Sequence, residues 1–202
     1  NEKLECVEQF CYLGDMIGAG GGAEEASRAR TRCAWAKFRE LAPILTSRGA
    51  SLAVKGKIYK ACVQRVLVYG SETWPIRVED MQRLVRTEKM MVRWMCGVTL
   101  KNRISSAELY SRLDVEAVSD VVRRGRLRWF GHVERKSHDD WVSACRDLEV
   151  EGVKRKGRSR KSWEECVRND LTSLGLKRDW ALDRVRWRGC ICGNRPTRAS
   201  MD

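Results

Sequence analysis

The residues best equipped for chemistry lie between Arg123 and Arg135. The run reads Arg123-Arg124-Gly125-Arg126-Leu127-Arg128-Trp129-Phe130-Gly131-His132-Val133-Glu134-Arg135, so arginines alternate with two adjacent aromatics and a histidine. Guanidinium groups match phosphate oxygens with paired hydrogen bonds, and the face of a Trp or Phe can carry a base or a sugar. A second basic block follows, Lys154-Arg155-Lys156-Gly157-Arg158-Ser159-Arg160-Lys161. Like charges at this density repel unless an anion offsets them or water solvates them. The plain alternative is a solvated helix face with Leu127, Trp129 and Phe130 turned into a core. Two such runs on a chain of net charge +13 point instead to a nucleic-acid-binding surface. Its candidate residues are Arg123, Arg124, Arg126, Arg128, Trp129, His132, Lys154, Arg155, Lys156, Arg158, Arg160 and Lys161. Four of the arginines (Arg123, Arg124, Arg126, Arg128) cannot share one side of a helix. Two or three are therefore expected on phosphates, with the others solvated or paired with Asp120 or Glu134.

No catalytic or metal-binding set accompanies these cations. His132 has no carboxylate, cysteine or second histidine at a useful spacing, and reads as a structural or backbone-contacting residue. Asp139-Asp140 stands in a polar stretch, while Glu24-Glu25 and Glu164-Glu165 fall in first turns of helices, where the helix dipole explains them. The glycines of 18–22 have neither the Gly-Lys-Ser/Thr nor the strand-to-helix setting of a phosphate cradle. Nine cysteines at irregular spacing do not make a disulfide scaffold. Cys33, Cys62, Cys96 and Cys166 flank apolar helical positions and are expected as free buried thiols. Cys190 and Cys192 lack zinc partners at the usual spacing. An independent enzyme thus has no support, and no cofactor is expected on this chain.

These residues sit in a 202-residue chain with 43% hydrophobic and 33% charged residues, enough apolar content to bury a core. The 40 Lys and Arg against 27 Asp and Glu call for an acidic partner. No apolar run approaches the ~20 residues of a membrane span, and nothing resembles a signal peptide. A soluble, intracellular protein of nucleus or cytoplasm, without a membrane partner, is expected. The chain opens at Asn1, without a methionine, inside a segment that reads as structured, and a fragment of a longer protein is expected.

The elements that hold the candidates follow in chain order. Residues 4 to 17 are short, aromatic and partly alternating, which predicts one or two strands turning at Gly14-Asp15. A first helix from Ala23 carries Trp35, Phe38, Leu41, Ala42 and Leu45 on one face. Ser51 caps a second, with Val54, Ile58, Ala61, Cys62, Val66 and Tyr69 as its apolar face. It ends at 70–75, where Trp74 before Pro75 plugs it. A third spans Glu79 to Cys96, its apolar stripe interrupted by Glu88. Shorter helices follow at 105–113, from Ser119-Asp120 through the basic run, at 140–148, at 162–174 and at 178–187. The fold class expected is mainly α: a helical bundle behind a short β-hairpin, then a basic helical C-terminal region. The divisions expected are 1–22, 23–102, 103–188 and a disordered tail at 189–202.

Several of these segments, in this order, resemble the region after the catalytic palm of LINE-type (non-LTR) retrotransposon reverse transcriptases. Phe10-Cys11-Tyr12-Leu13-Gly14 resembles the F-x-Y-L-G hairpin that grips the primer end. Ile58-Tyr59-Lys60-Ala61 followed by Leu67-Val68-Tyr69-Gly70-Ser71-Glu72-Thr73-Trp74 is similar to the thumb's "LYKA…LLYGCETW". Arg126 to Val133 resembles "RLRWFGHV", and Gly157 to Trp163 resembles "GRPRKRW", with Ser159 where proline is usual. The resemblance covers about residues 7 to 188. It implies a thumb-like bundle and a C-terminal region that hold template RNA and primer DNA, with Phe10, Tyr12, Leu13 and Gly14 as a primer-grip-like set. It implies that magnesium and the polymerase aspartates belong to an upstream palm of the same polyprotein, because this chain has no F/Y-x-D-D motif. The competing readings are a protein-interaction or nuclear-targeting module, with 154–161 as an import signal, and an inactive retroelement relic.

Overall fold

The computed structural model describes residues 6–19, 21–137, 139–148 and 161–192. It is mainly helical and begins with a two-stranded antiparallel hairpin, as the periodicity predicts. Strands β1 (Gln9–Tyr12) and β2 (Asp15–Gly18) pair with Phe10 opposite Ile17 and Tyr12 opposite Asp15. The helices are α1 (Glu24–Leu45), α2 (Leu52–Ile58), α3 (Arg65–Leu67), α4 (Val78–Met95), α5 (Ser106–Leu113), α6 (Val118–Glu134), α7 (Trp141–Asp147), α8 (Trp163–Leu174) and α9 (Arg184–Ile191). Between α2 and α3 the turn widens into a π-helical segment, Tyr59–Gln64. The chain divides into two compact units after Val122, whereas the expected divisions put a boundary between residues 102 and 103. The reason is α5, which packs on α2: a Cβ on Gly56 would lie 1.8 Å from Leu113 O. No helix among the described residues is long and apolar enough to cross a membrane.

The first unit is organised around α4. Leu84, Met91, Val92 and Met95 are buried with Phe38 and Leu45 of α1, Tyr59, Val63 and Leu67, and Leu109 and Leu113 of α5. Glu88, the break in the apolar stripe, is 0% exposed and is the hub of this core. Its Oε1 accepts from Tyr59 Oη (3.3 Å) and Gln64 Nε2 (3.0 Å); its Oε2 accepts from Tyr110 Oη (3.1 Å) and the Val118 amide (2.7 Å). One carboxylate therefore ties α4 to the π-helical segment, to α5 and to the first residue of α6. Burial pushes its carboxyl up from the usual carboxylate value, against the pull of those four donors.

The second helical stretch turns a different face inward from the one predicted. Lys55, Gly56, Tyr59, Val63, Gln64 and Leu67 are buried, whereas Val54 and Tyr69 are exposed. Polar side chains can be core residues here because each has a partner: Lys55 Nζ donates to Met95 O at 3.0 Å, and Tyr59 and Gln64 reach Glu88. Cys33 and Cys62, expected as buried thiols, are exposed for the same reason of phase, each one position off a buried neighbour, Ala34 and Val63. Cys166 is buried as expected.

The second unit closes on Leu127, Phe130, Val167, Ala181 and Trp187. Trp187 seats over Gly131, where a Cβ would lie 2.3 Å from its Nε1, and that Nε1 donates to Leu127 O at 2.9 Å. The helix predicted at 178–187 is split: a 3-10 turn, Arg178–Ala181, gives way to α9 because Asp183 caps the amides of Val185 and Arg186. Helix α9 runs to Ile191, so it takes in the start of the expected 189–202 tail; residues 193–202 lie outside the described ones.

Candidate nucleic-acid interface

Leu13 and Gly14 connect the two strands with φ of 48° and 81°, the pair of positive values that a two-residue type I′ hairpin requires. Glycine meets this freely; leucine does so under strain. Leu13 is nonetheless 77% exposed at the tip. Phe10 and Tyr12, two residues apart on one face, have ring centroids 6.3 Å apart and are both more than half exposed. The hairpin aromatics are therefore not core residues of this chain.

What holds the tip comes from the segment Tyr69–Trp74. Tyr69 Oη donates to Leu13 O (2.9 Å), and Trp74 Nε1 donates to Asp15 Oδ2 (2.9 Å). The other carboxylate oxygen of Asp15 accepts from the Met16 amide at 3.0 Å. Gly70, at φ 76°, is needed twice over, since a Cβ there would come within 2.8 Å of Asp15 Oδ2. Arg30 of α1 lies over the Tyr69 ring at 4.5 Å. The two motifs are legible in the sequence separately, but their meeting is not, nor are Asp15, Tyr69 and Arg30 as positioning residues. The usable signal was the glycine between an aromatic helix end and Trp74-Pro75.

Helix α6 divides the second candidate set between inside and outside. Arg126 is 3% exposed, and its Nε donates to Asp170 Oδ2 at 2.9 Å. It is a buried ion-pair residue rather than a phosphate contact, which corrects its place in the expected surface; its partner is neither Asp120 nor Glu134. Burial raises the Asp170 carboxyl, and the charges of Arg126, Arg123 and Lys161 oppose that rise. Arg123, Arg124 and Trp129 are half-buried, whereas Arg128 and His132 are exposed. The Trp129 and His132 rings stack with centroids 5.2 Å apart. Glu134 is held by another residue, Arg178, whose guanidinium donates to Glu134 (2.9 and 2.7 Å) and to Glu164 (2.7 Å). Lys154, Arg155, Lys156, Arg158 and Arg160 lie outside the described residues; Lys161 is half-buried. Among the described residues no group of three His, Cys, Asp or Glu side chains could hold a metal.

The chain is 26% identical over 206 residues to an uncharacterised transposon-derived protein of Caenorhabditis elegans, a match covering 95% of this chain and 73% of that one. This likeness supports a transposon origin. No family model matches, and no solved structure does. The matched stretch takes in nearly the whole chain, so the likeness is not confined to the basic run or to the hairpin alone.

Proposed function

We propose that the chain is the template-primer-holding part of a LINE-type retrotransposon reverse transcriptase, acting beside a palm that carries the polymerase aspartates and their magnesium. The observation that carries this reading is the seating of the hairpin. Two motifs that each resemble the family, Phe10 to Gly14 and Leu67 to Trp74, meet through the Tyr69–Leu13 and Trp74–Asp15 hydrogen bonds. A strained, exposed tip held this firmly is suited to pressing on a strand end. The transposon origin and the +13 charge agree with it.

The test is anisotropy of the whole chain on a short RNA–DNA template-primer across a salt series. The log–log slope should reach about −3, because each phosphate contact contributes roughly −0.7 to −0.9. Tyr69→Phe, which deletes only the hydroxyl donor to Leu13 O, should weaken the complex and leave the melting of the helical core in place. No binding at low salt by folded chain would overturn the reading. That outcome would favour an inactive retroelement relic, for which the transposon-derived relative is the supporting observation.

A further inference from the structure

We infer that the outer stripe of α6, made by Arg128, Trp129, His132 and Lys136, binds an unpaired nucleic-acid strand, with a base on the Trp129–His132 stack and phosphates on the two flanking cations. This rests on the nucleic-acid reading above and narrows it, for this surface, to strands without base pairing. Helix spacing sets the stripe. Arg128 and His132 are one turn apart and Lys136 follows just past the helix end, spanning about 12 Å. The other side of α6 is spent on the core: Leu127, Phe130 and Val133 are buried, and Gly131 is covered by Trp187. Trp129 is not part of that core. Its ring lies against His132 at 5.2 Å and 30°, with His132 exposed.

The combination of charges and rings decides the class of ligand. A paired duplex shows a protein its backbone and base edges, for which cations suffice. A half-buried Trp129 ring stacked on the exposed His132 gains only from a base that has left its own stack. Asp140 is bonded into the stripe: it accepts from Lys136 Nζ at 2.8 Å. That pair keeps the acid from standing unopposed beside His132. Asp140 also caps α7, and Trp141, next in sequence, is 75% exposed. The stripe therefore ends beside a segment that offers a further ring.

The experiment uses the full chain with labelled oligouridylate RNA, oligothymidylate DNA and a blunt RNA duplex. Trp129→Leu should weaken both single strands about tenfold or more, in keeping with the loss of one stacking platform, and change duplex binding less than twofold. Its salt slope should stay unchanged, whereas Arg128→Ala should flatten the single-strand slope by about 0.7. Trp129→Phe keeps a ring and should retain most of the affinity, which also guards against misfolding of the leucine variant. Circular dichroism and melting accompany each protein. Unchanged single-strand affinity in Trp129→Leu, or an equal fall for the duplex, overturns the inference. Wild-type binding to the duplex alone overturns it too, while leaving the template-primer reading standing. Binding to none of the probes removes both.

Discussion

Leu13 carries a cost that the chain could avoid. A leucine in the left-handed region loses about 1 kcal/mol relative to a residue at ease there, and at 77% exposure it recovers little by packing. Leu13→Asn would make an Asn-Gly type I′ turn, the preferred pair for such hairpins. It should raise stability by about 0.5–1 kcal/mol in urea unfolding and weaken template-primer binding; a side chain with only a structural role would not separate the two. On α6, Arg126 and Arg128 are two residues apart and opposite in kind. Arg126→Ala strands the partly buried Asp170 and should cost about 3 kcal/mol of stability. Arg128→Ala should stay within about 0.5 kcal/mol of wild type. Thermal melts of the two variants side by side check this, and similar losses in both would contradict the buried pair.

At the scale of elements, Glu88 sets how α4, α5, the π-helical segment and the start of α6 fit together. Glutamine there places a donor against either Gln64 Nε2 or the Val118 amide, so Glu88→Gln should cost about 1–3 kcal/mol. The pH dependence has a defined direction. Because burial raises the folded carboxyl above its usual value, the native state favours the protonated form. Wild-type stability is greatest below the ordinary carboxylate range and falls as pH climbs through it to the raised value. The gap between wild type and Glu88→Gln should therefore shrink from about pH 4 upward, read by urea unfolding at several pH values. A gap that widened would mean that the carboxylate is held charged. The elements themselves were largely legible: the hairpin from its alternation, although its turn falls at Leu13-Gly14 and not at the expected Gly14-Asp15, α4 from its stripe, and α8 close to its expected 162–174 span. The inward face of the second helical stretch was not, because Lys55, Gly56 and Gln64 look like surface residues until Met95 O, Leu113 and Glu88 meet them.

For the whole molecule, two units with separate cores predict separable unfolding. Trp187→Ala removes the largest side chain of the second core and should cost about 3–5 kcal/mol there. Calorimetry should then show an early transition from the second unit and an unmoved one from the first. A single transition shifted as a whole would contradict the division. The candidate surface was legible in composition but not in assignment. Arg126 read as a phosphate ligand because its partner Asp170 is 44 positions away, and the hairpin contacts join residues 56 and 59 positions apart. No local pattern encodes pairings at that range. The seat of Trp187 over Gly131 also has a consequence for synthesis on the ribosome. Every partner of the first core is made by Val118, so that unit can fold while translation continues. The second cannot close over Leu127 and Phe130 until Trp187 has emerged, and a stop codon or stall shortly before it would release a chain with a finished first unit and an open, sticky second one.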